Sequence, residues 1–236
     1  GQFSYNDLYN VASTKNYINY SSISRCVIDN SCSYYMICHH SGKHLYPSVN
    51  MSMNKCYGRS GIYCCPLSVS NSVTCSITYS TFSDNHANGY TCIMLWTTGA
   101  KFEIKSCNIL RNTQGSLGSE GTIYTIGNLM IEDSCILENK ATYIFYQGSS
   151  YTITLSNCTV DSTSNNGYLT TQNTVTKSFI LALNHMSTRN CNSEYDSAGT
   201  LTPVIQTPSS SKKQIICYTC GKMFNHLTQG NFALLI

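Results

Sequence analysis

Charge is what this chain of 236 residues has least of. Asp, Glu, Lys and Arg together make up 11% of it, against roughly 25% in an average soluble domain. The 14 Lys and Arg residues are scattered, and Lys212-Lys213 is their one adjacent pair. A surface that neutralises phosphates needs clustered cations, so nucleic acid is excluded as a partner. No run of about 20 apolar residues is present, which excludes a transmembrane helix within these residues. The Ala-, Leu-, Glu- and Lys-rich stretches that helical repeats require are missing as well. With so few charges, solubility falls to Ser, Thr, Asn and Tyr. Such a polar, uncharged surface suits an extracellular or cell-surface protein, and three Asn-x-Ser/Thr sequons, at Asn19, Asn50 and Asn157, agree with it. The chain begins at Gly1 and reads as a mature form or a fragment.

What is abundant is regular. Ile77, Ile104 and Ile131 recur every 27 residues, as do Phe82, Ile109 and Ile136, and Asn85, Asn112 and Asn139. Between the two apolar positions stands a small residue: Ser80, Cys107 or Ser134. A fixed period in the 20–50 residue range marks a solenoid, a propeller or an array. Extended outward, the main anchors read Ile23, Met51, Ile77, Ile104, Ile131, Leu155 and Leu181. The second apolar position reads Ile28, Cys56, Phe82, Ile109, Ile136, Val160 and Met186, with Cys26, Asn54, Ser80, Cys107, Ser134, Cys158 and Asn184 between. Alternation in Phe102-x-Ile104 and Ile153-x-Leu155, with flanking Thr, Tyr, Ile and Val, predicts strands. Segments rich in Gly, Asn and Ser between the apolar runs predict loops outside a stacked coil.

The unit Ile104-x-x-Cys107-x-Ile109-x-x-Asn112 and its equivalents resemble the right-handed parallel β-helix, the pectin-lyase-like class. The composition is also similar to that of cell-surface β-helix proteins of trichomonad-type protists. The resemblance implies an all-β solenoid of about seven rungs over residues 21–190, each of 24–28 residues. It also implies stacked side chains from rung to rung, with Asn85, Asn112 and Asn139 as a hydrogen-bonded turn ladder. Residues 1–20 are expected to cap the open end, 191–214 to form a linker, and 215–236 a cysteine-containing tail.

Candidate chemistry is sparse. Asp84, Arg111 and Glu138 are 27 apart and should stack about 4.8 Å from one another, with Lys105 and Glu132 as a second opposite-sign column. Alternating sign reads as a ladder of exposed ion pairs. The resemblance offers a catalytic reading, since lyases and hydrolases of the class use outward rung positions. The paired aspartates, Gly-His-Gly segment and Arg-x-Lys motif of such enzymes are absent, so no catalytic residues are expected. Tyr63, Trp96, Tyr124, Tyr146 and Tyr168 recur in the second apolar run of each rung. Facing outward they would form an aromatic track for sugar rings; facing inward or stacked between rungs they would be structural. Cys217-x-x-Cys220 resembles half of a zinc finger without its histidines. His39, His40 and His44 near Cys38 read as a polar excursion between rungs, with no carboxylate or second Cys pair at ligand spacing. No metal or cofactor is therefore expected, and the fourteen cysteines read largely as small buried residues. The reading that results is non-catalytic adhesion or ligand binding, with carbohydrate or a host or cell-surface protein as partner. A polysaccharide lyase or hydrolase, or a structural spacer, are the alternatives.

Overall fold

The computed structural model describes residues 15–28, 35–58, 61–67, 72–89, 92–115, 120–148, 150–176, 193–195 and 201–203. The described solenoid is all β, a parallel stack of about five full turns. Each turn contributes one strand to each of up to four sheets. Sheet 1 contains Lys15–Tyr17, Lys43–Pro47, Val73–Thr78, Lys101–Lys105, Asn128–Glu132, Thr152–Ser156 and Tyr168–Gln172. Sheet 2 contains Ser22–Ser24, Asn50–Ser52, Thr81–Ser83, Asn108–Leu110, Cys135–Leu137, Thr159–Val160 and Val175–Thr176. Sheet 3 is narrow: Val27–Ile28, Lys55–Cys56, His86–Ala87 and Thr113–Gln114. Sheet 4 contains Ile37–His40, Ile62–Cys65, Ile93–Leu95, Ile123–Thr125, Phe145–Gln147 and Asn165–Asn166.

The 27-residue period is the circumference of one turn: Phe102 pairs with Leu129, Ile104 with Ile131 and Ile109 with Ile136. Identical residues therefore stack, and the inward positions form one continuous apolar core from Ile23 to Val160. Sheets 1, 2 and 3 meet at two sharp corners, each held by a residue with positive φ. One corner column is Tyr79, Ser106, Asp133 and Asn157; the other is Met53, Asp84, Arg111 and Glu138. Left-handed backbone costs a residue with a β-carbon roughly 1–2 kcal/mol. The cost is offset because the chain's ladder continues through the corner: the N–H groups of Asp84 and Arg111 donate to Leu110 O and Leu137 O in the next turn, both at 3.0 Å.

The second corner is secured by an asparagine ladder. Each Asn Oδ1 accepts from the backbone N–H and the Nδ2 of the Asn in the preceding turn, at 3.1 and 2.9 Å for Asn85 on Asn112. The Asn112 Nδ2 also donates to Phe82 O at 3.0 Å, and the Asn139 Nδ2 to Ile109 O at 2.7 Å. The ladder has a fourth rung that the repeat alignment misplaced. Asn54 donates to Asn85 Oδ1 and accepts from Cys26 N at 3.0 Å. Cys26 and Asn54 thus belong to the Asn column, not to the small-residue column.

That misplacement is one case of a register correction. Ile23 and Met51 pair with each other, and Met51 pairs with Phe82, so both lie in the second apolar column. The first column in those turns holds Tyr46, which pairs with Ile77. The physical reason is His44. It occupies the inward position where the later turns carry Phe102 and Leu129, so the apolar alternation fails there and the pattern slides to the next strand. Among the described residues, Lys15–Tyr17, within the segment expected to cap, already pairs as a strand of sheet 1. The rung expected around Leu181 and Met186, and the tail with Cys217 and Cys220, lie outside the described residues. Within the expected linker, Ser193–Tyr195 pairs antiparallel with Leu201–Pro203.

Candidate functional site

The outer face of sheet 4 carries a column of aromatic and apolar side chains. Alternation along each strand sends Ile62, Ile93, Ile123 and Phe145 inward, and their neighbours Tyr63, Met94, Tyr124 and Tyr146 outward in one paired column. Trp96 joins them just after its strand, where its N–H donates to Cys64 O at 2.7 Å. The outward side chains form a second cluster, separate from the main core, of Tyr35, Cys38, Met94 and Tyr124 with Tyr63, Ile126 and Tyr146 packed against it. Trp96 remains 38% exposed while Tyr124 is buried by its neighbours.

Ring geometry decides what this face can bind. Trp96 lies on Tyr124 with centroids 5.6 Å apart and planes 20° from parallel, and Tyr124 lies on Tyr146 at 5.2 Å and 12°. The rungs stack the rings face to face, so each covers its neighbour's π-face and presents its edge outward. Of the two arrangements expected for these rings, Trp96, Tyr124 and Tyr146 adopt the inter-rung stack, which covers the faces between them. Tyr168 is not part of it. It sits on sheet 1, pairs with Thr152 and is exposed, because its apolar run is the sheet 1 strand, with Leu169 in the column of Ile153.

Charged side chains neutralise one another. Arg111 grips Asp84 through two bonds, Nε at 2.7 Å and Nη2 at 2.9 Å. Glu138 is next in that corner column, and its N–H donates to the Asp161 carboxylate. Lys105 Nζ bonds Glu132 at 3.0 Å, which holds the Lys105 ammonium above its usual range. Glu132 borders a shallow groove of about 380 Å³ on the outer face of sheet 1, between Lys101, Glu103, Met130 and Thr154. Glu103 is engaged there by Ser76 Oγ at 2.9 Å.

The segment read as a polar excursion is instead two strands joined by Ser41-Gly42, and it points two of its three histidines into the core. His39, its ring centroid 5.7 Å from that of His44, shares a hydrogen bond through Nδ1 with the Tyr46 hydroxyl at 2.7 Å. Burial and the neighbouring His44 and His40 push His39 down to about 4. His44 is fully buried, and its Nε2 lies 2.7 Å from Ser41 O. A carbonyl can only accept, so Nε2 carries the proton and Nδ1 holds the lone pair. Cys64 and Cys75, also fully buried, complete the corner; a His44 ring nitrogen and the two Sγ atoms all lie within 4.8 Å of one another. Burial pushes the Cys64 thiol up, but the Cys75 thiol, the His44 ring and the Tyr46 hydroxyl beside it outweigh that and bring it down, while Cys75 is raised. Sequence reasoning placed His44 near Cys38. Stacking places it against Cys64 and Cys75, and Cys38 points to the outer face.

Among known proteins, no family model, no curated protein and no solved structure matches the chain. Among the described residues no helix is long and apolar enough to cross a membrane.

Proposed function

We propose that this chain is a non-catalytic solenoid of the pectin-lyase-like, right-handed kind, displayed outside the cell, that adheres through the outer face of sheet 4. The observation that supports it is the Trp96–Tyr124–Tyr146 stack, in which exposed Trp96 and half-buried Tyr146 and Ile126 are backed by buried Tyr124 and Met94. Rigid aromatics lose little side-chain freedom on binding, which is why such residues dominate protein interfaces. A stack whose inner ring faces are covered offers mainly edges and hydroxyls, which favours a protein partner over a polysaccharide. The alternative of a polysaccharide lyase or hydrolase would use the groove on sheet 1, but the carboxylates there are already engaged by Lys105 and Ser76.

Trp96 is the only tryptophan of the chain, so its fluorescence reports on this face alone. Binding to a cell-surface protein extract or a glycan panel should shift that emission. Trp96→Ala with Tyr146→Ser should abolish adhesion while leaving the melting temperature nearly unchanged. Adhesion that persists in this double variant refutes the assignment of the face, and release of unsaturated sugars from polygalacturonate refutes the non-catalytic reading.

A further inference from the structure

We propose that His44, Cys64 and Cys75 form a buried structural site for a thiophilic divalent cation, zinc foremost. The proposal does not depend on the adhesion reading. Three different strands supply the donors: His44 and Cys75 from paired positions in neighbouring strands of sheet 1, and Cys64 from sheet 4 across the corner. All three side chains are shut off from solvent, so the donors are preorganised by the stack and not by a loop.

The imidazole carries the most telling detail. His44 Nδ1 is buried with no hydrogen-bond partner, although leaving a buried polar atom unsatisfied costs about 1–3 kcal/mol. Its other nitrogen donates to Ser41 O, and Asn16 Nδ2 holds that same carbonyl at 2.9 Å. A metal-bound histidine almost always donates its far N–H to a carbonyl or carboxylate in this way, which fixes the tautomer and aims the free lone pair at the ion. The corner therefore has the outer contacts of a ligating histidine, with a ring nitrogen within 4.8 Å of both thiol sulfurs.

Charge balance supports a dication. Binding would release the Cys64 and Cys75 thiol protons to solvent, and two thiolates then neutralise the ion, so no net charge is left in the core. Two sulfurs and one nitrogen suit zinc and exclude magnesium or calcium, which take oxygen ligands. The Tyr46 hydroxyl, bonded to His39 and lying against Cys64, is an oxygen donor available for a fourth position. The same columns one turn on carry Phe102 and Leu95, so the site is confined to one level of the solenoid.

Cobalt and zinc titration of the full chain tests this. The protein is kept reduced and carries Cys217→Ser and Cys220→Ser, which remove the competing C-x-x-C pair. Stoichiometric Co2+ should give thiolate-to-metal charge transfer and the intense visible bands of a tetrahedral ion, and Zn2+ should displace it. Cys64→Ser and His44→Ala should each weaken Co2+ binding by more than the roughly 10–100-fold that loss of an outer-shell partner costs. Cys107→Ser, a buried cysteine elsewhere in the core, should leave binding unchanged. X-ray absorption of the zinc-loaded chain needs no variant to fold, and should show two sulfurs at about 2.3 Å with nitrogen at about 2.0 Å. A reduced, folded chain without the thiolate–cobalt band overturns the proposal. So does a band that survives loss of both Cys64 and Cys75, a zinc shell without sulfur, or a Cys64–Cys75 disulfide in peptide maps of the freshly isolated protein.

Discussion

The corner where sheet 4 meets sheet 1 is built twice from the same template, with opposite chemistry. In the first three turns its inward columns hold Asn16, His44 and Cys75 on one side and His39 and Cys64 on the other. In the following two turns the same columns hold Phe102 and Leu129 facing Leu95 and Thr125. Parallel pairing continues through both, with one register shift between Lys101 and Phe102 where the polar corner meets the apolar one. What differs is how each corner gains its stability. The apolar corner excludes water around close-packed side chains. The polar corner must satisfy every donor and acceptor it buries, and it retains one lone pair that no protein atom meets. The β-solenoid is thus tolerant of side-chain chemistry at a given rung, as long as each rung settles its own polar groups. A ligand site can be placed at one level without disturbing the next.

The sharpest way to break this contrast is to move a polar residue into the apolar corner. Phe102→His should destabilise by about 4 kcal/mol, combining the lost burial of a phenylalanine with an unsatisfied imidazole. Urea unfolding reads it directly, and a loss below about 1 kcal/mol would show that the two corners do not differ as described.

Acid should act on the polar corner alone. In the metal-free chain His39 is held near 4 in the fold, below its ordinary 6.5, so the unfolded chain takes up the proton first. Stability is intact above pH 6.5 and is lost as the pH falls toward 4, by on the order of 3 kcal/mol. His44, His40, Tyr46 and Cys64 are the titratable groups facing it. Comparing unfolding midpoints at neutral pH and near pH 4 should show the loss in wild type and a much flatter response in His39→Phe.

The smallest effect sharpens the contrast from the other side. Cys64→Val approximates the apolar corner at one position and nearly conserves volume. In metal-free protein it should cost no more than about 1.5 kcal/mol, although it removes the acceptor used by Cys75. A calorimetric scan in the presence of chelator measures it, and a loss comparable to that of Phe102→His would mean that the polar corner is a packing solution with no spare donor.

The repeat made much of this legible before any coordinates. A spacing of 27 between identical side chains leaves few arrangements other than stacked strands, and Asn85, Asn112 and Asn139 could only bond to one another if they stacked. The outer rungs were harder for a definite reason. Alternation was read from apolar residues, and the residues that depart from it are those with another task. His44 in an inward position moved the alignment of Ile23 and Met51 by a whole strand, and hid Asn54 from its ladder. The aromatic residues of sheet 4 were visible as a set, but alternation could not say which side they faced, since Ile93 to Trp96 is apolar at every position.

The sequence by itself determined the coil: its period, its strands, its asparagine corner and its low charge follow from spacing and composition, because each depends on residues a fixed distance apart. Only the tertiary structure decided which side chains meet across the coil. His44 and Cys75 are 31 positions apart, one turn that is longer than the regular 27, and Cys64 lies 11 positions before Cys75 in another sheet. They converge because a turn returns the chain to its starting corner, and the distance at which it returns depends on loops whose lengths vary from rung to rung. The stacking of Trp96, Tyr124 and Tyr146 has the same origin: closed faces and open edges belong to neighbouring rungs, not to any one stretch of sequence.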